Sequence, residues 1–183
     1  MRIHTDQLSE GPLTLALDEP ADRFPVLREM VGEGVCEFTS PVQTRLRATR
    51  IREMVEVEGI VRTAARMTCG RCLTPFIGPL SSEFALTYTG GRPAAPGVVE
   101  PAEKELDAGE AGLIYFRGEE IDLTEGIQEQ VVLAFPLRPL CREDCRGLCA
   151  RCGADLNLGD CRCPPPPAEG PFAALGRLKR SEP

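Results

Sequence analysis

An α+β fold, an antiparallel β-meander with one main packed helix and a small cysteine-stapled lobe, is predicted by three stretches of this 183-residue chain. From about residue 35 to 89 the chain carries apolar and polar side chains at the two-residue period of half-buried strands. Residues 122–136 carry apolar side chains at helical spacing and end in a proline. Residues 141–163 hold six of the nine cysteines, with Leu148, Leu156 and Leu158 as their only large apolar side chains apart from the cysteines.

Taken in order, "LTLAL" at 13–17 is a short apolar alternation and "DRFPVLREM" at 22–30 reads as a short helix. In "QTRLRATRI", Arg45 and Arg47 alternate with Leu46 and Ala48, so the arginines are expected on one solvent face. "VEVEGIV" sets Val55 and Val57 against Glu56 and Glu58, and "SSEFALTYTG" puts Phe84, Leu86 and Tyr88 on one face. "CGRC" falls between two of these strands, which places its cysteines on a hairpin tip. Residues 90–111 are rich in Gly, Pro and acid and read as a mobile loop. "GLIYF" is one more strand. In "DLTEGIQEQVVLAFP", Asp122 is the expected cap with Glu125 three residues on. Leu123, Ile127, Val131 and Ala134 share the buried face of that helix. The division is a core at 1–140, a cysteine-rich lobe at 141–163, and a Pro-rich spacer with a short tail helix at 164–183.

The longest dense apolar run, "VVLAF", is far short of the roughly 20 residues a bilayer requires, and "MRIHTDQLSEGPL" has no apolar stretch of a secretory leader. A cytoplasmic protein with no membrane partner is expected. In that compartment clustered thiols bind metal more often than they pair as disulfides. Structural zinc takes four thiolates in a closed tetrahedron. Cys69, Cys72, Cys141, Cys145, Cys149, Cys152, Cys161 and Cys163 suffice for two such ions, leaving Cys36 free and open to thiol reagents. Three leucines cannot offset the ordering entropy of the lobe at about 1–2 kcal/mol per residue, whereas a structural zinc site contributes roughly 10–16 kcal/mol. The run Cys149, Cys152, Cys161, Cys163 can close around an ion by itself and be lost separately. Cys69 and Cys72 then share an ion with Cys141 and Cys145. The rival pairing joins the two C-x-x-C knuckles and leaves Cys141, Cys145, Cys161 and Cys163 together.

"VRTAARMTCGRCLTPF", "EIDLTEGIQEQVVLAFPLRPLC" and "GLCARCGADLN", in this order, resemble the bacterial YceD family of large ribosomal RNA subunit accumulation proteins. The resemblance implies a role in accumulation or maturation of large-subunit ribosomal RNA. It also favours pairing Cys69 and Cys72 with Cys141 and Cys145, because family members that lack the later run keep the earlier ligands. The implied partners are a ribosomal RNA precursor or a ribosome assembly protein, with no small-molecule substrate.

The net charge is −7. Eight thiolates and two dications take it to about −11, so the chain is no general RNA binder, since phosphates call for basic surface. Residues 43–72 nevertheless carry seven arginines against three glutamates. Arg45, Arg47, Arg50, Arg71, Arg142 and Arg146 are the candidates for a composite RNA- or partner-binding patch near the cysteines. Phe76, Tyr88, Tyr115 and Phe116 are the candidates for base stacking. Enzymatic activity is not expected: a catalytic zinc keeps an open position, usually with histidine among its ligands, and His4 is the sole histidine. A structural zinc adaptor that binds only proteins is the alternative.

Overall fold

The computed structural model describes residues 1–90 and 112–164. In chain order the strands and α-helices are β1 (Arg2–His4), β2 (Leu13–Glu19), α1 (Pro25–Gly32), β3 (Glu37–Phe38), β4 (Val42–Ile51), β5 (Met54–Thr68), β6 (Pro75–Gly90), β7 (Leu113–Phe116), β8 (Glu120–Asp122) and α2 (Thr124–Leu133).

Strands β2, β4, β5, β6 and β7 lie side by side in that order, and β3 joins β5 past the end of β4. β1 and β8 form a separate antiparallel pair. The architecture is mostly sheet with two helices, within the expected α+β class. The short helix expected within 22–30 is α1, which packs beside α2, where its Val26 N–H donates to Gln128 Oε1 at 3.2 Å. One expectation changes: the sheet is mixed rather than a pure antiparallel meander, because β7 runs parallel to β6. A parallel neighbour requires a crossover of a dozen or more residues, and residues 91–111 supply the length. The loop expected at 90–111 and the spacer and tail helix expected at 164–183 lie almost wholly outside the described residues.

The period-two pattern decides which face is covered. Val42, Leu46 and Ala48 of β4, Val55, Val57 and Val61 of β5, and Phe84 and Tyr88 of β6 are buried. Leu27 of α1 and Leu123, Ile127 and Val131 around α2 close over them. The interior continues along β5 through Ala65 and Met67, which pack with Cys36 and Leu80, and ends at Cys69. β5 and β6 are 15 and 16 residues long, so their hairpin spans about 50 Å with "CGRC" at its tip.

The capping box at Asp122 is displaced. Leu123 occupies the cap position of α2; its hydrocarbon side chain can make no cap bond and is instead buried in the core. Asp122 belongs to β8 and instead accepts the Thr124 N–H at 2.9 Å. Its carboxylate therefore still faces the positive end of the helix.

Tyr88 is 1% exposed, and among the described residues its hydroxyl has no hydrogen-bond partner. It cannot serve as a stacking platform. Burial pushes its phenol up to about 12, with Asp122, Glu129 and Glu125 adding to the shift. A folded-state value above the ordinary 10.0 means that the neutral ring's contribution is intact below pH 10 and is lost as pH rises through about 12. Urea midpoints are expected to fall across that window, and Tyr88→Phe should remove this part of the fall. An unchanged slope in the variant would exclude the ionisation.

Candidate metal centres

The end of β5 delivers Cys69, fully buried, and the turn that follows delivers Cys72. The chain returns to them from α2 through Pro139, whose carbonyl accepts the Gly70 N–H at 2.8 Å, and sets Cys141 and Cys145 alongside. The four sulfurs lie within 4.8 Å of one another. Cys69 Sγ and Cys145 Sγ are 3.8 Å apart, and Cys72 Sγ and Cys141 Sγ are 3.7 Å apart. A tetrahedron with metal–sulfur bonds of about 2.3 Å has edges of about 3.8 Å, and a disulfide would need about 2.05 Å. The spacing is that of a four-thiolate cage, and its geometry fits zinc.

Cys149, Cys152, Cys161 and Cys163 form a second group, again with all four sulfurs within 4.8 Å. This group is half-buried, with Cys152 exposed. The two sets are those of the self-contained pairing, not the knuckle-to-knuckle one.

Both knuckles share one backbone design. Cys69 N–H donates to Thr74 O and Leu73 N–H donates to Cys69 O, both at 3.0 Å. Cys149 N–H donates to Ala154 O at 2.8 Å and Gly153 N–H to Cys149 O at 2.9 Å. The residue after the second cysteine is left-handed in each case, Leu73 at φ 59° and Gly153 at φ 72°. Glycine takes that conformation freely, while an ordinary residue there costs about 1–2 kcal/mol. Leu73 is 63% exposed, so little burial is lost with its side chain. Leu73→Gly is therefore expected to raise the melting temperature slightly, and Gly153→Leu to cost about 1–2 kcal/mol. Melting curves that place both variants on the same side of wild type would contradict the shared design.

The thiols are poised unequally. Burial pushes Cys69 up, but the N–H groups of Cys72, Cys141 and Arg71 outweigh it and hold the thiol at about 6. The N–H groups of Cys152 and Arg151 hold Cys149 at about 6, with Cys161 and Cys152 contributing. Burial and the neighbouring thiols push Cys141 up to about 12. Cys152 does the same to Cys163, which reaches about 12. Hydrogen bonds from Thr74 also lower Cys72, so each group contains at least one thiol held below its ordinary value beside one pushed above it. Four sulfurs closing a tetrahedron leave no open coordination position for substrate.

The model of the family described as large ribosomal RNA subunit accumulation protein YceD matches residues 57–179. The chain belongs to the YceD family. It is 27% identical over 157 residues to the chloroplastic large ribosomal RNA subunit accumulation protein YCED homolog 1 of Arabidopsis thaliana, covering 76% of this chain and 49% of that one. The Zea mays protein of the same name is 29% identical over 163 residues, covering 76% and 54%. An uncharacterised protein of Mycobacterium leprae is 32% identical over 126 residues, covering 67% and 52%. The chain spans about half the length of the curated relatives it matches. No solved structure matches it.

In this YceD-family chain the six nominated arginines do not form one patch. Arg45 and Arg47 project from the solvent face of β4, as the alternation predicts. Arg45 stands opposite Ile60 on β5, eight residues before Thr68, so about 26 Å of strand separates it from the hairpin tip. Arg50 lies further away, at the opposite end of β5. Neighbouring strands also bring acids to these arginines. Asp18 Oδ1 is 3.0 Å from Arg45 Nη1, and Glu58 is the cross-strand partner of Arg47. Near the cysteines, Arg71 donates to Cys145 O at 2.9 Å, Arg142 to Asn157 Oδ1 at 2.8 Å, and Arg146 pairs with Asp160.

Cys36 is a free thiol, but it is only 7% exposed and burial pushes its pKa up. It is a packing residue beside Met67, not the open thiol expected. Two contributors were missed. Gly147, at φ 74°, sits where a Cβ would come within 3.0 Å of Arg71 O, so only glycine lets the lobe close on the hairpin. Asn157, from the loop between Cys152 and Cys161, donates to Cys145 Sγ of the first group and accepts the Arg146 N–H. Glycine between two basic-cysteine pairs was the available signal for the first, and no local pattern marks the second. Among the described residues no helix is long and apolar enough to cross a membrane.

Proposed function

We propose that this chain is a non-enzymatic protein that supports accumulation of large-subunit ribosomal RNA, with two zinc ions stapling residues 141–163 onto the β5–β6 hairpin. The observation that carries the reading is the coincidence of family membership with two groups of four sulfurs, each within 4.8 Å of one another, the first with edges of 3.7 and 3.8 Å as a four-thiolate tetrahedron has. Cys69, Cys72, Cys141 and Cys145 would hold one ion and Cys149, Cys152, Cys161 and Cys163 the other. Bound zinc would supply a fixed cross-link between the middle and the end of the chain, and no chemistry on a substrate.

An assembly protein is favoured over RNA as the direct partner. The formal charge is −7, and the arginines of the outer sheet face stand among Asp18, Glu37 and Glu58. Direct RNA contact is the second reading. Arg47 and Arg62 are exposed and have no ion pair among the described residues, and Tyr115 is 55% exposed. Purified zinc-loaded protein, tested against large-subunit RNA and against ribosomal proteins across a salt series, separates the two. Protein capture with a shallow salt slope is expected. A steep slope on RNA, close to one unit per neutralised phosphate, would establish the second reading.

A further inference from the structure

The two cages share a residue that is a ligand of neither. Asn157 lies in the eight-residue loop between Cys152 and Cys161, so its position is set by the second cage. Its side chain nevertheless ends on the first. Asn157 Nδ2 is 3.4 Å from Cys145 Sγ and 2.7 Å from Asp155 Oδ1. Asn157 Oδ1 accepts the Arg146 N–H and the Arg142 guanidinium, both at 2.8 Å. The amide orientation follows from the partners. Arg142 and Arg146 can only donate, so the oxygen faces them and the NH2 group is left to face sulfur and carboxylate. The loop is fixed on the same surface by Leu156 N–H donating to Gly147 O at 2.9 Å and by the bridge between Leu148 and Asp155.

We propose that Asn157 couples the two centres, so that metal in the second raises the affinity of the first. This rests on reading both cages as zinc centres. Binding at Cys149, Cys152, Cys161 and Cys163 orders residues 153–160 and presents the amide N–H to the Cys145 thiolate. A hydrogen bond to a coordinating thiolate stabilises its charge and fixes its direction, and loss of such an outer partner typically weakens metal binding about 10–100-fold. Linkage makes the effect mutual: metal in the first centre strengthens the second by the same factor. The two centres are accordingly not separable, in contrast to what a self-contained cysteine run implies. Asn157 is a positioning residue, acting through Cys145.

The test uses the full chain, titrated with Zn2+ and Co2+ against a competing chelator. Cys161→Ser, which disables the second cage, is expected to lower first-centre affinity about tenfold, within the usual range of coupling. Asn157→Ala should lower it equally, and Cys161→Ser with Asn157→Ala should lose no more than either alone. Asn157→Asp keeps the Oδ1 acceptor for Arg142 and Arg146 but replaces the donor that faces sulfur. It should lose at least as much as Asn157→Ala and shift the cobalt–thiolate charge-transfer band, which a merely structural role would not do. First-centre affinity unchanged in Cys161→Ser, additive losses in the double variant, or wild-type behaviour of Asn157→Asp would each overturn the coupling. Asn157→Asp leaves all eight cysteines in place, so the test stands even if Cys161→Ser fails to fold. Wild-type protein that binds no metal would instead overturn the underlying reading.

Discussion

Cys69→Ser is expected to free the segment beyond α2 while the sheet stays folded. Cys69 is fully buried at the end of the interior that runs along β5, and its sulfur lies 3.8 Å from that of Cys145. Serine is a poor zinc ligand and brings a hydroxyl into a site shaped for thiolate. A structural site contributes roughly 10–16 kcal/mol, and residues 136–164 have little else, Phe135 being the last residue packed on the main core. Their regular structure is turns and one isolated bridge. The main core, from Ile3 to Val131, contains no cysteine. Bound zinc should fall from two ions to one or fewer, proteolysis should move into 136–164, and far-UV circular dichroism should retain the sheet signal. Two ions still bound to the variant, with 136–164 protected, would show that Cys69 is not a ligand.

Gly59→Val should destabilise the sheet itself. Gly59 faces Leu46 across β4 and β5. A Cβ there would lie 2.5 Å from the Arg45 carbonyl oxygen and 2.9 Å from Leu46 Cβ. Valine is intrinsically the better strand residue by up to about 1 kcal/mol, so propensity and sterics oppose each other. The backbone oxygen decides the sign, because it cannot move without breaking the pairing of two central strands. Overpacking costs of about 1–3 kcal/mol are typical, and a backbone clash belongs at the upper end. At roughly 2–4 °C per kcal/mol for a chain of this size, the melting temperature should drop by about 10 °C. A rise would show that β4 and β5 can separate freely at this point.

What was legible in the sequence was whatever has a local period. Alternation along β4, β5 and β6 gave the buried face residue by residue, and the stripe Leu123, Ile127, Val131 gave the face of α2. The position of "CGRC" between two strand patterns gave the hairpin tip. Features set by partners distant in the chain were not legible. β7 reads as a strand, but nothing local states that it runs parallel to β6. Asp122 has the spacing of a cap, but its pairing with Arg2 across β1 and β8 and the burial of Leu123 shift the helix start by one residue. Seven arginines in one stretch look basic until β2 and β3 bring Asp18 and Glu37 beside Arg45 and Arg66. Asn157 has the composition of a turn former, and only the fold shows its amide against Cys145.

The first cage joins residues about seventy positions apart in the chain, and closing a loop of that length costs entropy that grows with the logarithm of its size. The folded core has already met most of that cost. α2 packs against β5 and β6 and ends at Leu133, eight residues before Cys141. The ion therefore has only a short tether left to draw in. A chain whose sheet has not formed offers the same four thiols as a long, loose chelate, whereas a chain with its sheet in place offers a nearly assembled one. Tight capture of the first ion thus acts as a certificate of completed tertiary structure, issued only after residues 54–90 and 124–133 have found one another.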